Sequence, residues 1–162
     1  MRSLTVGLVA TLLGAPAHAQ SGIACTAGTS AGVFSFGNVV TMSPAGVSAL
    51  LGDFVVRCAN VDNQARNVRL RLAISAGNSG TTGQRHMRKA GAATPLIYNL
   101  YEDAGYTVVW TATTGGRPDE FLTVPARSTS EVRRSIFGRI PGSQTTVVPG
   151  AYSDILVATV RY

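Results

Sequence analysis

The feature that most limits what this chain can become is a rhythm. Apolar and aromatic residues come in short runs, and Gly, Pro, Asn or Ser breaks each run before it completes a helical face. Runs of this kind, rich in β-branched and aromatic side chains, read as strands at residues 33–40, 53–59, 67–75, 95–101, 106–112, 120–124, 131–140 and 150–162. Beyond the first 19 residues, helical spacing of apolar residues is never sustained for three turns. The nearest approach is SPAGVSALLG (43–52), with Ser43 as cap, Pro44 behind it and Gly52 as stop, and it predicts one short helical turn. Many short strands separated by turn residues predict an all-β fold, an antiparallel β-sandwich of immunoglobulin-like type.

The last of these runs, GAYSDILVATVRY (150–162), reaches the C-terminus without a turn or a returning strand. Side chains of a strand alternate between its faces, so Leu156, Ala158, Val160 and Tyr162 share one face and Ile155, Val157, Thr159 and Arg161 the other. The first set is the apolar one and is expected to be buried. One edge of this strand therefore has no obvious partner from its own chain, and an exposed apolar edge invites pairing with another polypeptide.

The N-terminus reads as an export signal, residues 1–19. Arg2 supplies the positive start, Leu4 to Leu13 the short apolar core, and Ala17-His18-Ala19 the small-residue cleavage site. An apolar run this short falls below the roughly 20 residues that a membrane-spanning helix needs. The mature chain is then expected to be residues 20–162, one domain. Both cysteines, Cys25 and Cys58, lie in it, and export delivers them to an oxidising compartment where a disulfide persists. Two unpaired buried thiols are the weaker alternative. A closed loop of this length restricts the unfolded chain by roughly 3–4 kcal/mol on the entropy model.

The formal charge is +6, and 13 of the 14 basic residues are arginines. A basic balance can signal an anionic partner, but these arginines are scattered. In NVRLRLAIS, Arg69 and Arg71 alternate with leucines, as a strand with one wet face requires. The one dense cluster is RHMRK (85–89). It follows the Gly/Ser/Thr-rich SAGNSGTTGQ and reads as a solvated loop, with Arg85, Arg88 and Lys89 as a possible anion-binding set.

Nothing in the sequence argues for catalysis. Outside the leader the single histidine is His86, in that basic cluster, and no serine sits in a G-x-S-x-G elbow. With the cysteines paired, too few ligands remain for zinc, and no Walker loop occurs. The adjacent acids Glu102-Asp103 and Asp119-Glu120 would point to opposite faces of a strand, which disfavours an acid/base couple. Tyr98, Tyr101, Tyr106 and Trp110 alternate with aliphatic residues away from the arginines, so they read as core rather than as a nucleic-acid stacking platform. No enzyme activity, cofactor or metal is expected.

RHMRKAG (85–91), PLIYNLYEDA (95–104), Trp110, IFGRIPGSQ (136–144) and GAYSDILVATVRY (150–162), with the Cys25/Cys58 pair, occur in an order and spacing that resembles the spore coat protein U domain family, which includes subunits of archaic chaperone-usher pili. The resemblance covers essentially the whole mature chain. It departs after the tryptophan, where the family often has glycine and an acid and this chain has WTATTGG. The resemblance implies an immunoglobulin-like sandwich lacking its last strand. It also implies three partners: a periplasmic chaperone that lends a strand, an outer-membrane usher, and a neighbouring subunit whose N-terminal extension replaces the chaperone's strand. Main-chain hydrogen bonds then give affinity and alternate apolar side chains give specificity. Leu156, Ala158, Val160 and Tyr162 would line one side of the acceptor groove and Val33 and Phe34 the other.

A subunit that also donates a strand needs an apolar extension before its first cysteine. Here only QSGIA precedes Cys25, roughly 16 Å of extended chain with Ile23 as its one large apolar residue. The expectation is therefore an exported structural or adhesive subunit that accepts a strand but donates none, at the tip of a fibre or outside any polymer. It would pass through the periplasm to the cell surface. The alternatives are a secreted coat or matrix protein that does not polymerise, and a carbohydrate- or anion-binding module using residues 85–89.

Overall fold

A computed structural model describes the backbone of residues 5–10 and all of residues 22–40, 42–112 and 119–162. The expected cleavage site Ala17-His18-Ala19 lies outside these residues, as do Gln20, Ser21 and the Gly115-Gly116 pair. The described residues hold eleven strands: β1 (Thr5–Ala10), β2 (Ile23–Thr29), β3 (Val33–Asn38), β4 (Val47–Asn60), β5 (Arg66–Ile74), β6 (Arg85–Met87), β7 (Leu96–Tyr101), β8 (Glu120–Val124), β9 (Thr129–Ile140), β10 (Ile155–Leu156) and β11 (Ala158–Arg161). A single 3-10 turn spans Gly77–Ser79. The all-β expectation holds, and the pairing is antiparallel except between β1 and β10.

One layer is the five-stranded sheet β2-β4-β9-β7-β6. Its spine is the β4–β9 ladder, in register from Val47↔Ile140 to Ala59↔Thr129 with one irregularity between Leu50 and Gly52. Facing it are two shorter sheets, β11-β5-β8 and β10-β1-β3. Only Val157 separates β10 from β11, and it is itself tied to β5's end: Ser75 N–H donates to Val157 O at 2.9 Å and Val157 N–H donates to Ser75 Oγ at 2.8 Å. The terminal segment thus pairs with β1 at its start and with β5 on its continuation.

Phe34, Phe54, Val68, Leu70, Leu72, Leu96, Tyr98, Leu100, Trp110 and Ile136 form the buried centre, with Trp110 stacked on Phe54 at 5.7 Å between ring centroids. Cys25 and Cys58 face each other in the β2–β4 register and form the expected disulfide.

Two local expectations are corrected. Residues 47–52 are not helical but open β4, because Val47, Ala49 and Leu50 find partners across the sheet in Ile140, Gly138 and Phe137. The chain turns at 44–45 instead, and Gly52, at φ +144°, takes up the register shift. Residues 106–112 do not form a strand either. Tyr106 sits at φ +57°, and the Asp103 carboxylate accepts the N–H groups of Thr107 and Val108. These contacts fold the segment back on β7, with Trp110 N–H donating to Leu100 O and a lone bridge between Tyr101 and Val109.

Candidate functional site

The site lies where β1 inserts. β1 runs parallel to β10, with Val9 opposite Ile155 and Ala10 opposite Leu156, and antiparallel to β3, with Leu8 opposite Phe34 and Val9 opposite Val33. The β1–β3 register shifts once, between Val6 and Gly7. β3 and β10 have no other strand partner among the described residues. The six-residue segment Thr5–Ala10 therefore occupies the position that joins these two edges among the described residues.

The walls of this position follow from alternation. On β3, Phe34 and Phe36 turn inward and are buried, while Val33 and Ser35 face outward. On the terminal segment Leu156 and Ala158 are buried and Val160 and Tyr162 half-buried, whereas Ile155 and Arg161 are exposed. Of the six groove residues named from sequence, Val33, Phe34 and Leu156 stand opposite β1 in register. Ala158 and Val160 lie farther along and pair with Ile74 and Leu72 of β5.

A buried polar cluster anchors the start of β10, and sequence reasoning missed it. Asp154 is 1% exposed. It accepts hydrogen bonds from Tyr98 Oη at 2.7 Å and from the Asn78 backbone N–H at 2.8 Å. Gly77, at φ +63°, is required here, since a Cβ would fall 2.1 Å from the carboxylate. Burial, reinforced by the negative Asp154, holds the Tyr98 phenol protonated well above its usual range.

Beside this pair, Arg85 is fully buried. Its guanidinium donates to Ser75 O, Ile74 O, Trp110 O and Asn99 Oδ1 at 2.7–3.0 Å. Burial lowers its pKa to about 10, against the raising pull of Tyr98 and Asp154, so it stays charged at neutral pH. The only sequence signal for this cluster was polar residues at inward positions: Asn99 within IYNLY and Asp154 before ILVA.

The Spore Coat Protein U domain family model matches residues 11–159. The chain belongs to the Spore Coat Protein U domain family. No curated protein matches it. Similar solved structures include the crystal structure of the CsuC-CsuE chaperone-tip adhesion subunit pre-assembly complex from archaic chaperone-usher Csu pili of Acinetobacter baumannii. That match has 15% identity and a TM-score of 0.48 over 86% of this chain, and the chain spans 40% of that solved chain.

In this Spore Coat Protein U domain the residues 85–89 do not form one basic surface. The solvated-loop expectation is corrected for Arg85–Met87, which is strand β6 paired with β7. Arg85 points into the core, and Lys89 Nζ donates to Pro149 O at 2.7 Å, which leaves Arg88 exposed by itself. His86 is half-buried on β6 with Nε2 unpartnered among the described residues, beside a cavity of about 90 Å³ lined also by Arg88, Ala92, Ala93 and Pro95. The acids Asp119 and Glu120 serve structural ion pairs, Asp119 with Arg69 and Arg71 and Glu120 with Arg134. Among the described residues no helix is long and apolar enough to cross a membrane.

Proposed function

We propose that the chain is an exported structural or adhesive subunit of a chaperone-usher type pilus or coat, completed by a strand from another polypeptide. One observation carries this reading: the position between β3 and β10 is filled by Thr5–Ala10, a segment inside the leader that export is expected to remove. Loss of that segment leaves β3 and β10 without a strand neighbour and opens the apolar floor formed by Phe34, Phe36 and Leu156. A strand from a periplasmic chaperone fills the gap first, and a subunit's extension, admitted at the outer-membrane usher, replaces it. The residue-level resemblance described above and membership of the family support this assignment.

The same reading makes the chain an acceptor only. Ile23, the one large apolar residue between the cleavage site and Cys25, is 3% exposed in its own core and already paired with Asn60. Gly22 O accepts the Val61 N–H, so the chain is committed to its own fold from that point. What remains is too short to fill a neighbour's groove, which assigns the subunit to a fibre tip or to a place outside the polymer.

Co-expression of the secreted chain with its cognate periplasmic chaperone tests the groove. A stable one-to-one complex is expected, and a secreted chain that is monomeric, stable alone and protected along β3 would refute the assignment. Purified subunit released from its chaperone, with no other subunit present, is expected not to polymerise; fibres of this chain alone would remove the acceptor-only part.

A further inference from the structure

The leader segment that fills the groove has apolar composition for one reason already, because export requires it. Its pairing gives it a second. β1 makes five register pairs with β3 and two with β10, and these are the strand pairings those two edges possess among the described residues. With β1 in place, Phe34 and Leu156 are each 2% exposed and Phe36 is 6% exposed. Without it, a row of main-chain donors and acceptors and an apolar floor face solvent together, the combination that templates edge-to-edge association.

We propose that the leader is a donor strand in cis: in the uncleaved precursor Thr5–Ala10 completes the sandwich and holds the groove shut, and cleavage opens it. The inference rests on the groove proposed above. Residues 11–22 tether β1 to β2, and a short tether presents its strand at an effective concentration on the order of millimolar. A strand arriving from another chain at micromolar concentration competes poorly against that. Removing the tether removes the competitor, so cleavage also sets the moment at which a partner can bind.

Hydrogen exchange on the full chain, Met1 to Tyr162, refolded under oxidising conditions with its leader intact, tests this. The amides of residues 5–10, of β3 and of Ile155–Leu156 are expected to exchange at least about tenfold more slowly than unstructured chain. Leu8→Pro, which places a proline inside a central strand, is expected to abolish that protection at all three places while β4 and β9 keep theirs.

Free exchange at residues 5–10 with free exchange at β3 would overturn the inference and leave the open groove standing. Free exchange at residues 5–10 with β3 and β10 protected in a monomer would overturn both. Unchanged protection of β3 in Leu8→Pro would likewise remove the leader from the groove. If that variant fails to fold, exchange at residues 5–10 of the parent chain decides alone.

Discussion

The β4–β9 ladder and the β10-β1-β3 sheet are built from the same kind of residue and differ in how much they commit. The ladder pairs 12 residues of β4 with β9, lies between β2 and β7, and is locked to β2 through Cys25–Cys58. The smaller sheet joins β10 to β3 only through a strand supplied from residues 5–10, with two parallel pairs on one side and five antiparallel pairs on the other. Long contiguous pairing with a covalent tie makes a region that opens only when the whole domain unfolds, whereas a six-residue inserted strand can exchange while its surroundings stay folded. On the function proposed above, the molecule separates a permanent half from a replaceable strand, and Arg85, Tyr98 and Asp154 sit at the boundary.

That separation breaks most readily at Arg85. Arg85→Met keeps the side-chain bulk but leaves Ile74 O, Ser75 O, Trp110 O and Asn99 short of a donor in the core. The cost is expected to be on the order of 3–5 kcal/mol, read as a shift in the denaturant midpoint. Because Ile74 and Ser75 hold the terminal segment, exchange should rise at β11 and β5 first. Cys25→Ala with Cys58→Ala comes next, at about 3–4 kcal/mol from freeing the unfolded chain. It should lower global stability without changing the relative exchange of β3. A disulfide-free variant that lost protection at β3 first would show that the two regions are not separate.

The extent to which the sequence foretold this arrangement follows from where strand-forming residues run unbroken between turn residues. Glu120–Val124 was read to the residue, and β5, β7 and β9 within two, because each is a run rich in β-branched, aliphatic or aromatic residues bounded by turn formers. Residues 43–52 and 106–112 misled for a local reason. Ser43, Pro44 and Gly52 imitate helix punctuation while serving a turn and a bulge, and the aromatic run at 106–112 is folded back by an Asp103 turn that its composition hides. Arg85 was placed at the surface because it stands in a basic cluster beside a Gly/Ser/Thr tract. Its burial depends on carbonyls from three distant segments, which only the fold brings together. Nothing in the sequence of residues 5–10 distinguishes part of an export signal from a strand that fits a sheet edge.

Gly138 connects the two regions, and substituting it sharpens their comparison. It lies on β9, but a Cβ there would come within 2.5 Å of both Leu51 Cδ1 and Phe36 Cζ. Phe36 belongs to β3, so Gly138→Ala pushes from the permanent sheet against the wall of the replaceable one. Overpacking of this size is expected to cost roughly 1–3 kcal/mol. Exchange at β3 should accelerate more than exchange at β4, and equal acceleration would mean that Leu51, not Phe36, takes the strain.

The smallest expected effect is on acid stability, and it discriminates in the opposite direction. Asp103 is held below its ordinary pKa chiefly by the Val108 and Thr107 N–H groups, Asp119 by Arg69 and Arg71, and Glu131 by Arg57 and Arg133. Each carboxylate is a stronger acid folded than unfolded. As pH falls the unfolded chain takes up protons first, so their support is complete above the ordinary carboxylate range near pH 4 and is lost as pH drops through the folded values. All three stand half-buried in turns or on sheet faces, and none belongs to β1, β3 or β10. Thermal melts from pH 7 to pH 3 should therefore show a modest fall in Tm below about pH 4, and the Asp119 and Glu131 share should shrink in high salt. Protection at residues 5–10 relative to β4 should stay constant across that range. If acid instead released residues 5–10 before the β4–β9 ladder weakened, the closure of the groove would depend on charge, and an inserted strand held by main-chain pairing and apolar burial would not account for it.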